Sequence, residues 1–340
     1  MIIGACGYGA TGSSAVYDLI REFEGIQSLP FEFIYCYQVD GLQDLQYHLT
    51  ERYSKGASGD AAIKRFIDVT NFEQTPFMKH QVPPKKFKKI TEEYIDSIVQ
   101  GKFKGYETFD TNNVGTIRKF INLAFIKFVI VNYQKHFKKI YNSFPLRDLY
   151  ISIDPDNFLE KTQKYIRDLL KAMGFELDKP ILLNQPFEGN APEQSMIFFD
   201  DPKAIVVDRD PRDLYAFYHK TLVDECRFLP VDNVETFVEQ YKQIRKKQLR
   251  VSDKSKLFIQ FEDMIYNYET SKDKIIDFLG LKNHLYPKRY LNPEKSINNT
   301  QLYLLYPDMK DDIKYIEEHL KDYLFDFSKY EKVEHKGTIF

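Results

Sequence analysis

Apolar and polar positions follow two different periods along this chain, and the change of period marks its elements. Residues 1–6 form a short apolar run that predicts a buried strand. Beyond a glycine-rich turn, Ala15, Val16, Leu19, Ile20 and Phe23 recur at helical spacing. The aromatic run FEFIYCYQ (31–38) predicts a second strand. From 42 to 150 the spacing is mostly helical: 64–69 and 90–99 carry it, and 116–141 predicts one long aromatic-rich helix. Another helix opens near DPDNFLEK, with Asp154 or Asp156 as N-cap, and stops at Gly174. ILLN (181–184), AIVVD (204–208) and LFIQF (257–261) predict buried strands. Helices are expected from Asp210-Pro211, over 232–250, over 272–280 with Gly280 as a left-handed cap, and over 310–324. Strands alternating with helices predict an α/β fold, a central parallel sheet flanked by helices. We expect one domain over 1–340, with 45–150 a large helical insertion.

Composition narrows the class. The 340 residues are 43% hydrophobic and 29% charged, as in an ordinary soluble globular protein with a large core. A net charge of −2 gives no global field for nucleic acid. The charge is uneven, however. Residues 79–139 hold 13 Lys and Arg against 5 Asp and Glu, either solvated helix faces or a rim for an anionic ligand or a membrane surface. Cys6, Cys36 and Cys226 are odd in number and widely spaced, which predicts no disulfide framework and a reducing, cytoplasmic compartment. No C-x-x-C or H-E-x-x-H occurs, so no metal is expected. The chain opens at once on a strand and a glycine turn, which predicts no signal peptide. No apolar run reaches the roughly 18 residues of a membrane span. INLAFIKFVIVNY (121–133), interrupted by Lys127, is expected to be a core helix.

Chemistry enters with GACGYGATGSSAVYDLI (4–20). Gly7, Gly9 and Gly12 spell G-x-G-x-x-G, and residues 7–14 also read as a phosphate loop whose usual lysine is Ser13. A glycine turn between strand and helix aims backbone amides at one point, and the helix dipole adds positive potential there. A dinucleotide site wants an acid about 20 residues on, at the end of the second strand. Glu32 stands at the start of the expected strand, and Asp40 lies 28 residues past Gly12. The loop by itself is an anion site of unassigned kind.

AIVVDRDPRDLYAFYHK (204–220) delivers Arg209 to the carboxyl edge of the sheet. Asp210 is an N-cap, Pro211 suits the first helical position, and Asp213 completes a capping-box-like start. Arg209 needs an anion: a phosphate, or a salt bridge to Asp208 or Asp213. LFIQFEDMIYNYETSKDKIIDFLGL (257–281) repeats strand, acidic turn and helix, with Glu262 and Asp263 expected to cap and position.

Together, CGYGATGSSAVYDLI, VVDRDPRDLY and FEDMIYNYETSKDKIIDFLGL resemble, in order and spacing, the sulfotransferases that use 3′-phosphoadenosine 5′-phosphosulfate; the resemblance covers roughly 1–40 and 180–300. It implies a five-stranded parallel sheet and this nucleotide as co-substrate, with no metal. It implies that Gly9, Ala10, Thr11, Gly12, Ser13 and Ser14 take the 5′-phosphosulfate and that Arg209 takes the 3′-phosphate. In LNPEKSINNTQ (291–301), Lys295 and Ser296 are the counterparts of a loop closing over the nucleotide. Glu32 is the implied general base, Asp40 the geometric runner-up, and His48, His80 and His136 further candidates. Two positions depart from the family pattern. Ala10 replaces a Lys or Arg, leaving Lys64, Arg65, Arg52 or Lys220 to supply the charge, and Phe217 replaces a Ser. The implied acceptor is a hydroxyl or amine, preferably of a saccharide; peripheral membrane contact is compatible, and the oligomeric state is left open. Two alternatives stand beside this reading: a catalytically impaired relative that binds the nucleotide, and a Rossmann-type NAD(P)-dependent oxidoreductase.

Overall fold

A computed structural model describes residues 1–53, 56–73, 81–107, 110, 115–138, 146–220, 229–246 and 250–335. Cys226 and His80 lie outside the described residues. The chain forms two compact units, one of Met1–Gln38 with Leu170–Phe340 and one of Val39–Leu169. In chain order the first unit opens with β1 (Ile2–Gly7), α1 (Ser13–Ile20) and β2 (Gln27–Glu32). The second unit holds α2 (Gly56–Glu73), α3 (Pro84–Ile98), β3 (Gly101–Gly105), α4 (Thr116–Ala124) and β4 (Arg147–Ile151). Helix α5 (Phe158–Ala172) leads back to the first unit. There follow β5 (Ile181–Asn184), β6 (Pro202–Asp208), α6 (Pro211–Lys220), α7 (Val234–Arg245), β7 (Lys256–Gln260), α8 (Phe261–Tyr266), α9 (Tyr268–Leu279) and α10 (Lys310–His319).

The five strands of the first unit form a parallel sheet in the order β2-β5-β1-β6-β7, flanked by helices, which is the expected fold class. Its central strands read as unbroken apolar runs because both faces are covered. Ile3, Ala5, Leu182, Ile205 and Val207 are fully buried, and Val16, Leu19 and Ile20 of α1 join the same cluster. Each such large side chain contributes about 2 kcal/mol. The chain order reverses around β1, so β1 carries its glycine turn to a switch point of the sheet.

Three expectations are corrected. The second strand is 27–32, not 31–38. It is an edge strand and contains Pro30, which edge pairing tolerates. The ladder closes where the Phe33 amide donates to Asn184 O at 2.7 Å, and Ile34–Cys36 then makes a 3₁₀ turn that buries Tyr35 and Cys36. The aromatics of 31–38 thus mark burial rather than extension. In the second unit, β3 and β4 pair antiparallel within a stretch expected to be helical. Glycines and exposed lysines in GKFKG hide this strand from a pattern search. Finally, 121–133 is no core helix. Residues 116–137 are helical, with a π-helical stretch at Phe125–Val131, but no residue of α4 is buried.

One anchor prepares the site. The fully buried Glu22 accepts from His284 Nε2 (2.7 Å) and from the amides of Lys288, Tyr290 and Leu291 (3.1, 2.7 and 3.1 Å), fixing the approach to 291–301. Cys6 and Cys36 are buried free thiols, and burial pushes both thiols up.

Candidate functional site

The glycine turn is held open by its neighbours. At its start the Gly7 amide donates to Gln185 Oε1 (3.2 Å) and the Tyr8 amide to Thr11 Oγ1 (3.1 Å). The backbone is left-handed at Gly9 (φ 83°), Ala10 (49°) and Gly12 (95°). Gly12 is required on a second ground, because a Cβ there would lie 2.4 Å from the Phe261 ring. Gly12 offers no side-chain cap to α1. Among the described residues, the backbone amides of 9–14 have no protein acceptor. Unpaired amides and the N-terminal end of the α1 dipole both favour an anion here. Ser13 Oγ, at the first helical position, accepts from Gln185 Nε2 at 2.9 Å.

Gln185 was not foreseen. It follows β5, adopts φ 53°, and braces both ends of the turn. Four residues on, a Cβ at Gly189 would lie 2.5 Å from the Gly7 carbonyl oxygen, so this segment runs directly over the end of β1. That course brings in Glu188, whose carboxyl reaches solvent yet is raised above the usual range by partial burial.

Arg209 closes the other side. It is 2% exposed at the end of β6. Its Nη1 donates to Ala10 O (3.0 Å) and its Nη2 to Asn299 O (2.5 Å). The guanidinium lies 5.3 Å from the Phe217 ring centre and 5.2 Å from that of Phe261, and its Nε is buried without a partner. The two expected salt bridges do not form. Asp208 is taken by Arg245 (2.7 Å) and Arg250 (2.9 Å). Asp213 accepts the amides of Gln301 (2.7 Å) and Tyr303 (3.3 Å). Nor does Asp213 complete a capping box, since the Asp210 amide goes to Glu262 Oε1 (3.0 Å). Asp210 does accept the Arg212 amide at the start of α6 (2.8 Å) and pairs with that guanidinium. Burial lowers the pKa of Arg209, the signature of a cation stripped of water. Asp213, Glu262 and Asp210 act on it electrostatically but none forms an ion pair with it, and a bound anion would offset more of the cost of burying the charge.

The acids around it titrate together. Burial and Asp210 push Asp213 up to about 7, while burial, Asp210 and Asp213 push Glu262 well above the carboxylate range. For Asp213 the folded pKa exceeds the unfolded 3.8, so its contribution to stability is full below about 4 and is lost as pH rises to about 7. Thermal melts between pH 5 and 8 check this. The melting temperature of the wild type is expected to fall relative to that of Asp213→Asn as pH rises, by on the order of a few °C.

The fold brings together the 9–14 loop, Arg209 and the 291–301 segment, the last through Asn299. Lys295 is exposed on the single turn Pro293–Ser296. Glu32 is exposed at the carboxyl end of β2, opposite Asn184, and not at a strand start. There it satisfies the dinucleotide spacing in sequence, but β5 intervenes between β2 and β1, about 10 Å of sheet. Asp40 belongs to the second unit, where it accepts from Arg65 Nε at 2.6 Å. In that unit His48 is half-buried, its pKa lowered by burial and by Arg65 and Arg52, and His136 is exposed. Of the cations considered for the position-10 charge, Lys64 pairs with Asp60 and Asp110, Arg65 with Asp40, and Lys220 with Asp308. Arg209 donates to the Ala10 carbonyl, and Phe217 packs on its guanidinium.

No family model and no curated protein matches the chain. Among solved structures it is similar to the sulfotransferase domain from the curacin biosynthetic pathway, 12% identical over 94% of this chain and 97% of that one, with a TM-score of 0.39. The sulfotransferase domain of the Synechococcus olefin synthase is 12% identical over 98% and 96%, with a TM-score of 0.38. Retinol dehydratase, solved with androsterone and the inactive cofactor PAP, is 15% identical over 96% and 81%, with a TM-score of 0.37.

Proposed function

We propose that this chain is a sulfotransferase that moves a sulfuryl group from 3′-phosphoadenosine 5′-phosphosulfate to a hydroxyl or amine. One observation carries the reading. A buried arginine with no carboxylate in ion-pair contact and an unpartnered Nε is bonded to the carbonyl of a loop whose own amides are unpaired. Two anion-seeking groups at one sheet edge suit a ligand with two separate phosphates. The amides of 9–14 and the α1 N-terminus would hold the 5′-phosphosulfate, and Arg209 the 3′-phosphate. When bound, this nucleotide supplies the activated sulfuryl group. The acceptor oxygen forms its bond to sulfur as the bond from sulfur to the phosphate oxygen breaks, and the acceptor proton passes to a base.

Glu32 was the base implied by the resemblance. Glu188 is better placed, because it follows β5, the strand beside β1, and burial raises its pKa from the ordinary value, which strengthens it as a base. A saccharide acceptor and a cytoplasmic location are part of the proposal, motivated by the basic run at 79–139 and the buried free Cys6 and Cys36. Ala10 favours a second reading, a protein that binds the nucleotide without turnover, since losing a charge at the transferring group costs on the order of 10²–10³ in rate.

The test is a melting-temperature screen with 3′-phosphoadenosine 5′-phosphate, ATP and NADH, followed by sulfuryl transfer to a panel of saccharides, alcohols and amines. The first ligand is expected to raise the melting temperature by about 5 °C or more at 100-fold excess over Kd, and NADH to leave it unchanged. Glu188→Gln is expected to lose turnover while keeping nucleotide affinity, and Glu32→Gln to keep both. Binding without transfer to any acceptor selects the second reading. Absence of any shift with 3′-phosphoadenosine 5′-phosphate overturns both.

A further inference from the structure

Helix α4 and its continuation to Phe137 invert the ordinary amphipathic pattern. In α1 the apolar face is buried against the sheet. In α4, Ile117, Phe120, Ile121 and Ala124 share one face at i, i+3, i+4 and i+7, yet Ile117 is 79%, Phe120 68% and Ile121 62% exposed. Further along, Phe128 and Phe137 are 63% and 56% exposed. Monomeric soluble proteins rarely leave such a run uncovered, so it marks an interaction surface.

Charge identifies the occupant. No Asp or Glu lies between Asp110 and Asp148, whereas Arg118, Lys119, Lys127, Lys135 and Lys138 punctuate the helical stretch. Arg118, Lys119 and Asn122 stand on the face of α4 opposite its apolar one. An apolar face of Phe and Ile with a polar opposite face that carries cations and no acid is the pattern of a helix lying in a lipid interface. A second copy fits poorly, because a twofold interface sets this acid-free stretch on itself and brings no carboxylate to its cations. Nucleic acid gives aliphatic side chains nothing to bury against. Among the described residues no helix is long and apolar enough to cross a membrane, so the helix lies on a bilayer rather than through it. We infer that residues 116–138 form a docking surface for an anionic lipid bilayer, with Ile117, Phe120, Ile121 and Phe128 inserted among the acyl chains and the lysines on the headgroups. The inference is independent of the proposed chemistry.

Sedimentation of the full chain with phosphatidylcholine vesicles, with and without 25% phosphatidylglycerol, tests it at low and high salt. Binding is expected only with phosphatidylglycerol, falling at least several-fold in high salt. Phe120→Ser with Ile121→Ser is expected to abolish sedimentation, and Lys119→Ala with Lys127→Ala to weaken it roughly tenfold or more. Phe120, Ile121 and Lys127 are exposed and Lys119 is half-buried, so melts and nucleotide affinity are expected to stay close to wild type in both variants. Equal binding to neutral vesicles, absence of binding, or indifference to both variants overturns the inference. So does a dimer in ultracentrifugation that Phe120→Ser disperses, which assigns the face to a second copy.

Discussion

Arg209→Ala is expected to weaken binding of 3′-phosphoadenosine 5′-phosphate by about 10²–10³-fold, the loss that follows from deleting a buried, charge-assisted donor to an anion. The side chain makes no ion pair, since Asp208 and Asp213 are bonded elsewhere, and it acts on Asp213 and Glu262 only through the field of its charge. The unliganded protein is therefore expected to lose little. Two carbonyls, at Ala10 and Asn299, lose a donor, while the desolvation cost of a buried cation is removed. Arg209→Lys is expected to recover little affinity. One ammonium cannot bond both carbonyls, lie between the Phe217 and Phe261 rings and still face a phosphate. Calorimetric titration, with melts in the presence and absence of the nucleotide, separates binding from folding. An Arg209→Ala protein that keeps the ligand-induced shift would falsify the assignment of Arg209 to the nucleotide.

Gly12→Ala is expected to be the most damaging single methyl group in the site. The position has φ 95°, and the added Cβ meets the Phe261 ring at 2.4 Å. Left-handed strain and overpacking together cost roughly 2–5 kcal/mol. Phe261 cannot step aside freely, because it is a core residue and also packs on the Arg209 guanidinium. Destabilisation and loss of anion binding therefore come together. Gly25→Ala is the control, with φ 77° and open space around it, and is expected to cost only about 1–2 kcal/mol with binding intact. Adding Phe261→Leu to Gly12→Ala is expected to restore part of the stability but not the binding, because room returns while the ring over Arg209 is gone. Denaturant unfolding and nucleotide titration of the four proteins check this; normal binding by Gly12→Ala would remove the loop from the site.

The legible parts of this protein are those decided within a few residues. ILLN and AIVVD announce strands covered on both faces because nothing polar interrupts them. Gly9 and Gly12 announce a left-handed turn, and Arg209 stands out as a cation at the end of an apolar strand. The failures also share a cause. FEFIYCYQ was expected to be a strand because aromatics favour both strands and burial, and only the sheet edge and Pro30 distinguish the two. INLAFIKFVIVNY was expected in the core because hydropathy does not say whether anything packs on a face. Asp213 has the spacing of a capping residue, but two amides from 301 and 303 outcompete that local bond.

The sequence by itself determined the parallel α/β sheet, the glycine loop opening a helix, and the presence of an arginine in need of an anion. Periodicity, glycine content and burial of a charge are short-range properties written into neighbouring residues. Only the tertiary structure decided that Arg209 reaches Ala10, 199 residues away, and Asn299, 90 residues away. It also decided that Gln185 braces the loop, that Glu188 and not Glu32 follows the strand beside β1, and that Asp208 is spent on Arg245 and Arg250. Which carboxylate meets which buried arginine depends on distances of a few ångströms, and those are set by how the strands are ordered in the sheet.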